Sequence, residues 1–473
     1  MSTKLTTRLP LRTLSSLTRV GACQRFAFKP VQQQSSVRCF WRSTPAPPAA
    51  HAQPEHIVHH ATENQLDGKP AKHVTVTIDG NPRIFDAVFL RDSCTCPQCV
   101  DPDSKQKLFQ TSDIPQNLQA LCRTVQDKAK GCMVELQWDT DVPGYGPDHR
   151  TRHSTDWLRR ALNTELELRG GVRNDERVLW NREKITKNNK WVDYGKYMAE
   201  DEALFDALSH LNKYGLLFLK GVPESEESVV NIAGRIGTLK DTFYGRTWDV
   251  KSKPNAENIA YTQHFLGLHM DLLYTSNPPY LQLLHSIRAR APRGESFFSD
   301  SFHAAHTLQS QSSSHFRTLC TFPVTYHYHH PNYHYHFTRP TIELFPYPKY
   351  SEPTNVAIKH VNWSPPFQGP FEARIGGEKQ TALRNYLAAA HAYERLLSAE
   401  ENLYEYRLEE GECVIFDNRR VLHARRSFDA SKGERWLKGA YVDDDVFFSR
   451  LRVLQEKYEG KWTAEGVVRY AIA

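Results

Sequence analysis

The sequence predicts a mainly β protein with flanking helices, in which a small β module precedes a larger β-sandwich or barrel. The chain has 473 residues, and at about 100–200 residues per domain it has room for two or three domains. Its 40% hydrophobic and 24% charged residues are typical of a globular protein. Short apolar segments recur between turns that contain proline or glycine, and this pattern favours a sandwich or barrel over alternating βαβ units. They include residues 216–222 (LLFLKGV), 280–287 (YLQLLHSI), 411–418 (GECVIFDN) and 438–442 (KGAYV).

The first 54 residues differ from the rest in charge. They hold eight Lys or Arg and no Asp or Glu, whereas the whole chain has 60 Lys or Arg against 54 acids. This composition predicts a mitochondrial transit peptide and linker over residues 1–54, with Arg38 three residues before a processing site, and a location in the matrix. A basic tail is the alternative. Because the basic excess lies entirely in this segment, we expect no nucleic-acid partner. The apolar runs are too short to span a bilayer, so we expect no membrane partner either.

Local patterns predict the N-terminal module over residues 73–160. Alternating residues predict strands at 74–78 and 133–138, and Asp79-Gly80 predicts a turn into a second strand at 85–93. Ser154 can begin a short helix, which would end the module.

The larger unit is predicted over residues 196–458, after a polar boundary at 174–189. It opens with a helix in which Leu204, Leu208 and Leu211 share one face and which Gly215 ends. The apolar strands follow, and a helix at about 446–458 closes the unit.

The cysteines predict a metal site rather than disulfides. Nine cysteines are an odd number, and Cys94, Cys96 and Cys99 lie within six residues. Three thiolates can bind one tetrahedral Zn²⁺ but leave its fourth position open. His149 and His153 are the candidate fourth ligands.

A second constellation predicts an iron centre. His269 and Asp271 are two residues apart, so on an extended segment their side chains point the same way. Together with His423 they form the two-histidine, one-carboxylate set that is typical of non-haem Fe(II) oxygenases. Arg435 lies twelve residues beyond His423 and could bind the far carboxylate of a 2-oxo acid in a fork.

These residues, in this order, resemble the γ-butyrobetaine and trimethyllysine dioxygenase family, the carnitine-pathway branch of the taurine-dioxygenase superfamily. The resemblance extends to Gly439-Ala440-Tyr441 and covers most of residues 73–455. The further matching motifs are Asp417-Asn418-x-Arg420, FYGRTW at 243–248, AYT at 260–262 and PPYLQLLH at 278–285.

The resemblance implies a double-stranded β-helix (jelly roll) catalytic domain and a zinc-binding N-terminal module. It implies Fe(II) on His269, Asp271 and His423, with 2-oxoglutarate and O₂ as cosubstrates, and a small trimethylammonium substrate. It leaves room for ascorbate as an accessory cofactor and for a homodimer. The family spacing of a histidine eight residues before a tryptophan selects His149, before Trp157, as the zinc ligand. The residues implied to contact 2-oxoglutarate are Asn258, the Leu284 backbone and Arg435; those implied to form an aromatic cage are Tyr244, Trp248, Tyr261 and Tyr441.

The sequence departs from the family at the substrate side. Met270 replaces a usual Thr, Arg419 a usual Trp, and residues 361–371 an Asn-rich stretch, while the interval from His423 to Arg435 is one residue shorter. The predicted reaction is hydroxylation of γ-butyrobetaine to L-carnitine. The alternatives are trimethyllysine or another betaine as substrate, or a non-catalytic, zinc-stabilised mitochondrial protein.

Residues 326–336 alternate histidine and tyrosine. On a strand this places His327 with His329, and His334 with His336, on one face, as a second metal site would require. A polar pocket lining or a solvated hairpin is the interpretation that the sequence favours.

Overall fold

A computed structural model describes residues 70–127, 131–162, 177–251, 262–345, 358–371 and 380–459. The predicted transit peptide, Asn258 and Tyr261 lie outside these ranges. None of the described helices is long and apolar enough to cross a membrane.

The N-terminal module has its own hydrophobic core, in which Val74, Leu90, Leu136 and Leu158 are buried together. Asp79 and Gly80 both adopt positive φ and form the predicted turn between β1 (His73–Ile78) and β2 (Asn81–Asp86). The prediction of a strand over residues 85–93 is wrong beyond Asp86, where the strand ends. The Asp86 side chain accepts a hydrogen bond from the Val88 amide and so begins helix α1 there. The elements are β1 (His73–Ile78), β2 (Asn81–Asp86), α1 (Ala87–Asp92), β3 (Ala120–Asp127), β4 (Gly131–Trp138), β5 (Arg150–Ser154) and α2 (Thr155–Ala161).

The polar stretch expected as a boundary contains helix α3 (Arg182–Asn188), which the Asn181 side chain caps. Helix α5 (Asp201–Tyr214) is followed by Gly215, whose positive φ ends the helix as predicted. The remaining helices are α4 (Tyr194–Ala199), α5 (Asp201–Tyr214), α6 (Glu227–Ile236), α7 (Ser301–Gln311), α8 (Ser313–Thr321), α9 (Gln380–Ser398) and α10 (Asp444–Glu459).

Two sheets form the larger unit. One has six strands in the order β6-β7-β17-β10-β19-β8, and the other has four in the order β16-β11-β18-β9. All pairs are antiparallel except β6 with β7, which is consistent with a jelly roll. Two hairpins, β12-β13 and β14-β15, lie outside these sheets. The strands are β6 (Trp191–Asp193), β7 (Leu216–Lys220), β8 (Thr247–Lys251), β9 (Leu266–His269), β10 (Leu281–Ala289), β11 (Ser296–Asp300), β12 (Pro323–His330), β13 (Tyr333–Pro340), β14 (Ile342–Leu344), β15 (Ile358–Val361), β16 (Leu403–Tyr406), β17 (Glu412–Asp417), β18 (Val421–Arg425) and β19 (Arg435–Val442).

Alternation along the large sheet separates two cores. Val414 and Phe416 of β17 point between the sheets, where Phe416 contacts Phe298 of β11. Cys413 and Ile415 point to the other face, which α5, α6 and α10 cover. The candidate site therefore lies on the inner faces of β9, β18 and β19.

Candidate metal centres and active site

The structure brings His269, Asp271 and His423 together at one point. His269 ends β9 and His423 lies on β18, and the two are direct register partners. Their Nε2 atoms lie 3.5 and 4.0 Å from the same oxygen of Asp271, Oδ1. All three ligand atoms lie within 4.8 Å of one another. Cis ligands of an octahedral ion with bonds of about 2.1 Å stand about 3 Å apart, so small movements would place all three on one ion.

The backbone around Asp271 is held from the opposite turn. Asn418, between β17 and β18, accepts a hydrogen bond from the Asp271 amide at 2.8 Å and donates to the Asp271 carbonyl at 3.2 Å. Leu272 follows with φ of 61°, a conformation that costs a non-glycine residue energy and that is concentrated at functional sites. The chain therefore turns sharply just after the carboxylate.

The protonation states suit metal binding. Burial raises the pKa of Asp271, but the hydrogen bond from His269 and the neighbouring His423 outweigh it and hold this pKa at about 2. Burial, with the neighbouring His269, lowers the pKa of His423 to about 3. His269 Nδ1 lies 2.8 Å from the Gly267 carbonyl, which can accept a hydrogen bond from Nδ1 when Nε2 serves as the metal ligand. Two neutral imidazoles and one carboxylate are the donor set that Fe(II) takes in oxygenases.

One predicted cage residue, Tyr441, contacts this centre, and a second, Trp248, packs on Tyr441. The Tyr441 hydroxyl donates a hydrogen bond of 2.6 Å to Asp271 Oδ2, and its ring stacks on Trp248 at 3.8 Å between centroids. Gly439 pairs in register with Trp248, and a Cβ at Gly439 would overlap the indole. Only glycine at this position lets Trp248 lie across β19.

Tyr244 belongs to a wider aromatic cluster at the same end of the barrel. Its ring is 4.0 Å from that of Phe243, which in turn contacts Tyr328 at 5.1 Å and Tyr335 at 4.8 Å. Burial and the Asp271 charge hold the pKa of Tyr441 well above its usual value, and the nearby Tyr244 adds to this. Tyr261, the fourth predicted cage residue, lies outside the described residues.

Arg435 lies on the inner face of β19 and forms no ion pair with a described carboxylate. Desolvation and the charge of Arg425 lower its pKa to about 9. Arg425 lies two residues after His423 on the same face of β18. Because the charge of Arg425 acts on Arg435, the two arginines lie near each other, on the Arg425 side of the candidate iron centre. Its guanidinium stands over the Phe428 ring at 5.5 Å. A cation in these surroundings is suited to bind a carboxylate.

Of the other two predicted 2-oxoglutarate contacts, Leu284 lies among the described residues. Leu284 lies on β10 between β17 and β19, with Val414 and Gly439 as its register partners. Because neighbouring strands flank it on both sides, a contact with a ligand inside the barrel would come from its side chain rather than from its backbone. Asn258 lies outside the described residues.

The cysteine cluster forms a second candidate metal centre in the N-terminal module. The Sγ atoms of Cys94, Cys96 and Cys99 lie 3.7, 3.3 and 3.3 Å from His149 Nε2. The hydrogen bond from Cys99 lowers the pKa of Cys94 to about 3 and raises that of Cys99, as expected for thiols close enough to share a proton. His153 instead lies 2.9 Å from the Leu90 carbonyl. Three sulfurs and one imidazole around one point are a closed tetrahedral donor set, which suits zinc.

Asp141 and Arg91 support this cluster. Asp141 Oδ2 lies 2.6 Å from His149 Nδ1, the arrangement that orients metal-binding histidines. The fully buried Arg91 pairs with Asp141 Oδ1 and lies 3.3 Å from Cys99 Sγ, so its charge would offset that of the thiolates. The sequence assigned neither residue a role, since no local pattern marks them. Asn418 lies in the motif Asp417-Asn418-x-Arg420, but that motif did not predict its hydrogen bonds to Asp271.

Comparison with known proteins agrees with this geometry. The profile of the Taurine catabolism dioxygenase TauD, TfdA family matches residues 181–441. The chain is 38% identical to Dioxygenase str8 of Strobilurus tenacellus over 78% of this chain and 84% of that protein. It is 29% identical to Gamma-butyrobetaine dioxygenase of Pseudomonas sp. (strain AK-1) over 81% and 94%. It is 26% identical to Trimethyllysine dioxygenase of Meyerozyma guilliermondii over 84% and 96%.

The family profile covers more than half of the chain and includes the candidate iron residues His269, Asp271 and His423. The chain therefore belongs to the TauD/TfdA family and is a 2-oxoglutarate-dependent dioxygenase.

Proposed function

We propose that this dioxygenase hydroxylates an unactivated C–H bond of a trimethylammonium acid, with γ-butyrobetaine, which would give L-carnitine, as the first candidate. The observation that carries the proposal is the position of Tyr441. Its hydroxyl donates a hydrogen bond to the candidate iron ligand Asp271, and its ring is stacked on Trp248. An aromatic surface thus lies one residue away from the metal centre.

A trimethylammonium group explains why a site would present aromatic rings at this point. It has no N–H, so hydrogen bonds cannot select it, and the ring faces of tyrosine and tryptophan can. Each cation–π contact contributes about 0.5–2 kcal/mol. Tyr244 supplies a further ring of the same cluster, and Tyr261 remains a predicted member.

The other predicted site residues would bind the metal and the cosubstrate. His269, Asp271 and His423 would hold Fe(II), and Arg435 would bind the far carboxylate of 2-oxoglutarate. When bound, iron and 2-oxoglutarate supply the activation of O₂ for C–H hydroxylation, with succinate and CO₂ as coproducts. Tyr441 holds the Asp271 carboxylate in a fixed orientation, and the buried walls of the barrel exclude water.

The chain is similar both to a γ-butyrobetaine dioxygenase and to a trimethyllysine dioxygenase. This supports a trimethylammonium acid as the class of substrate, but it does not select one member of that class. The identities are 29% to a protein named Gamma-butyrobetaine dioxygenase and 26% to one named Trimethyllysine dioxygenase. Trimethyllysine is therefore the second candidate, and ascorbate is included in the assay as an accessory cofactor.

We further propose zinc on Cys94, Cys96, Cys99 and His149, and a mitochondrial location. The first rests on the four ligand atoms that converge in the structure. The second rests on the composition of residues 1–54; a similar protein of Bos taurus is named Trimethyllysine dioxygenase, mitochondrial.

Succinate formation from 2-oxoglutarate tests the proposed function. The purified protein is screened with γ-butyrobetaine, trimethyllysine, glycine betaine and an uncharged tert-butyl analogue of γ-butyrobetaine, and the hydroxylated product is identified by mass spectrometry. We expect coupled turnover with a trimethylammonium acid and little with the tert-butyl analogue. Equal turnover of the charged and uncharged analogues would refute the substrate class and leave the dioxygenase assignment intact.

A Trp248→Leu variant separates recognition from stability. We expect it to fold, to consume 2-oxoglutarate slowly without substrate, and to need about 10-fold more betaine for half-saturation, from the loss of one cation–π contact. Trp191→Leu is the matched control, since Trp191 packs on Phe218 at the sheet edge. If both variants lose stability alike and keep the wild-type KM, Trp248 is an ordinary core residue.

A further inference from the structure

The hairpin formed by β12 and β13 separates its side chains into two chemically different faces. Its register pairs Tyr328 with Tyr335 and Tyr326 with Phe337 on one face. On the other face it pairs His327 with His336 and His329 with His334.

The tyrosine face is the inner one. Tyr326 and Tyr328 are buried, and Tyr328 and Tyr335 both contact Phe243. Of the four histidines, His329, His334 and His336 are exposed and His327 is half-buried. The histidines are therefore not needed to fill the core, and four imidazoles lie on two adjacent rungs of one exposed face.

The spacing of one of these pairs, His329 with His334, suits a metal ion. Side chains directly opposite on an antiparallel pair have Cβ atoms about 4.5–5.5 Å apart. The His329 and His334 ring centroids are 4.5 Å apart. Two nitrogens bound to one tetrahedral ion, with bonds of 2.0–2.1 Å, stand about 3.3 Å apart, which a change of side-chain rotamer would reach from this separation.

The chemistry of the face selects a class of ion. Residues 323–340 contain no Asp, Glu or Cys, so imidazole nitrogens are the strongest metal ligands on this face, beside the hydroxyls of Thr325 and Thr338. Imidazole suits Zn²⁺, Cu²⁺ and Ni²⁺, whereas Mg²⁺ and Ca²⁺ require oxygen ligands.

We propose that the outer face of this hairpin binds one imidazole-preferring divalent ion, of the Zn²⁺ or Cu²⁺ class, through His329 and His334, with His327 and His336 of the next rung as the candidates for a further ligand. The ion links the two strands across the hairpin. A two-stranded hairpin is only marginally stable by itself, so such a link would hold in place the inner tyrosines that contact Phe243. The site is separate from both the His269 centre and the cysteine cluster, and it does not depend on the proposed substrate.

Equilibrium dialysis against buffered free Zn²⁺, with the bound metal measured by mass spectrometry, tests the proposal on the full-length protein. The variants are His329→Gln/His334→Gln and, as a matched control, His391→Gln, which removes an exposed histidine of α9. The iron and cysteine centres are intact in all three proteins, so they contribute equally. We expect wild type and His391→Gln to bind one zinc per chain more than the double variant. The affinity of the double variant for this ion should fall by at least about 10–100-fold, since removing two ligands costs no less than removing a hydrogen-bond partner of one ligand.

Hydrogen exchange gives a second, local readout. Added Zn²⁺ should slow amide exchange across β12 and β13 in wild type and leave it unchanged in the double variant. Both substituted side chains are exposed, so we expect the double variant to fold; the single His334→Gln variant serves in its place if it does not. Equal zinc stoichiometry and affinity in wild type and the variant, or no change in exchange across the hairpin, would overturn the proposal.

Discussion

Replacing Asn418 by alanine should weaken iron binding as well as the fold. The Asn418 side chain is fully buried and makes three hydrogen bonds, to the amide and carbonyl of Asp271 and, at 3.1 Å, to the carbonyl of Pro279. Each intramolecular hydrogen bond contributes about 1 kcal/mol net, so Asn418→Ala should lower the free energy of unfolding by about 3 kcal/mol. Because two of the three bonds hold Asp271, the apparent affinity for Fe(II) should also fall, by about 10–100-fold.

Two measurements separate these effects. Urea unfolding of the metal-free protein gives the loss of stability, and Fe(II) titration of 2-oxoglutarate consumption, at a temperature where the variant is folded, gives the affinity. Asn402→Ala is the control, because Asn402 is also buried and donates to the Leu396 carbonyl at 2.7 Å, away from the centre. If Asn418→Ala loses stability but binds Fe(II) as tightly as Asn402→Ala does, the reasoning that this side chain positions Asp271 is wrong.

Three further outcomes can be checked. His149→Ala should lose its zinc, as measured by metal analysis after mild chelation, whereas His153→Gln should keep it, since His153 lies against the Leu90 carbonyl. Arg435→Gln should raise the KM for 2-oxoglutarate by about 10–100-fold, from the loss of charge-assisted hydrogen bonds, with a smaller effect on kcat. Its pKa is lowered, so the folded state disfavours this charge, and the variant should be no less stable than wild type at neutral pH. Residues 1–54 fused to a reporter should direct it to mitochondria; a cytosolic reporter would contradict the transit-peptide prediction.

The sequence predicted which candidate metal ligands lie together, but not the residues that support them, because ligands occur in short, spaced patterns. His269 and Asp271 are two residues apart, and Cys94, Cys96 and Cys99 lie in one loop, so local geometry already restricts them. The support residues are brought in by tertiary structure.

Asn418 reaches Asp271 only because the turn between β17 and β18 lies beside the end of β9. Asp141 reaches His149 across a loop with no motif of its own. Neither contact could be predicted from spacing.

The fold shows the same division between local and tertiary information. The strands with continuous apolar residues, such as β7 and β17, lie where the sequence predicted them, because both of their faces are buried. The strand prediction was wrong after Asp86, because the Asp86 side chain caps a helix there. Over so few residues, periodicity alone does not distinguish an apolar strand from a helix.

The two ends of the barrel interior differ in chemistry, and this difference orients the reaction. Along the inner face of β19, Arg435 lies at one end and Tyr441 near the other. Along β18, His423 is followed two residues later by Arg425, whose guanidinium donates to the carbonyls of Thr262 and His264. The arginine end would therefore attract a carboxylate cosubstrate, and the aromatic end an organic cation.

The histidine pair lies between these ends. His269 and His423 are opposite each other in register, and Tyr441 reaches Asp271 from the aromatic side. A cosubstrate held by Arg435 and a cation held against Trp248 would thus approach the metal from different directions, so neither needs to leave for the other to bind. If the two ligands exchanged positions, a carboxylate would lie against aromatic faces and a cation would lie against two arginines. Both contacts would be unfavourable. The order of polar and aromatic residues along β18 and β19 therefore predicts a separate side of the candidate iron centre for each ligand.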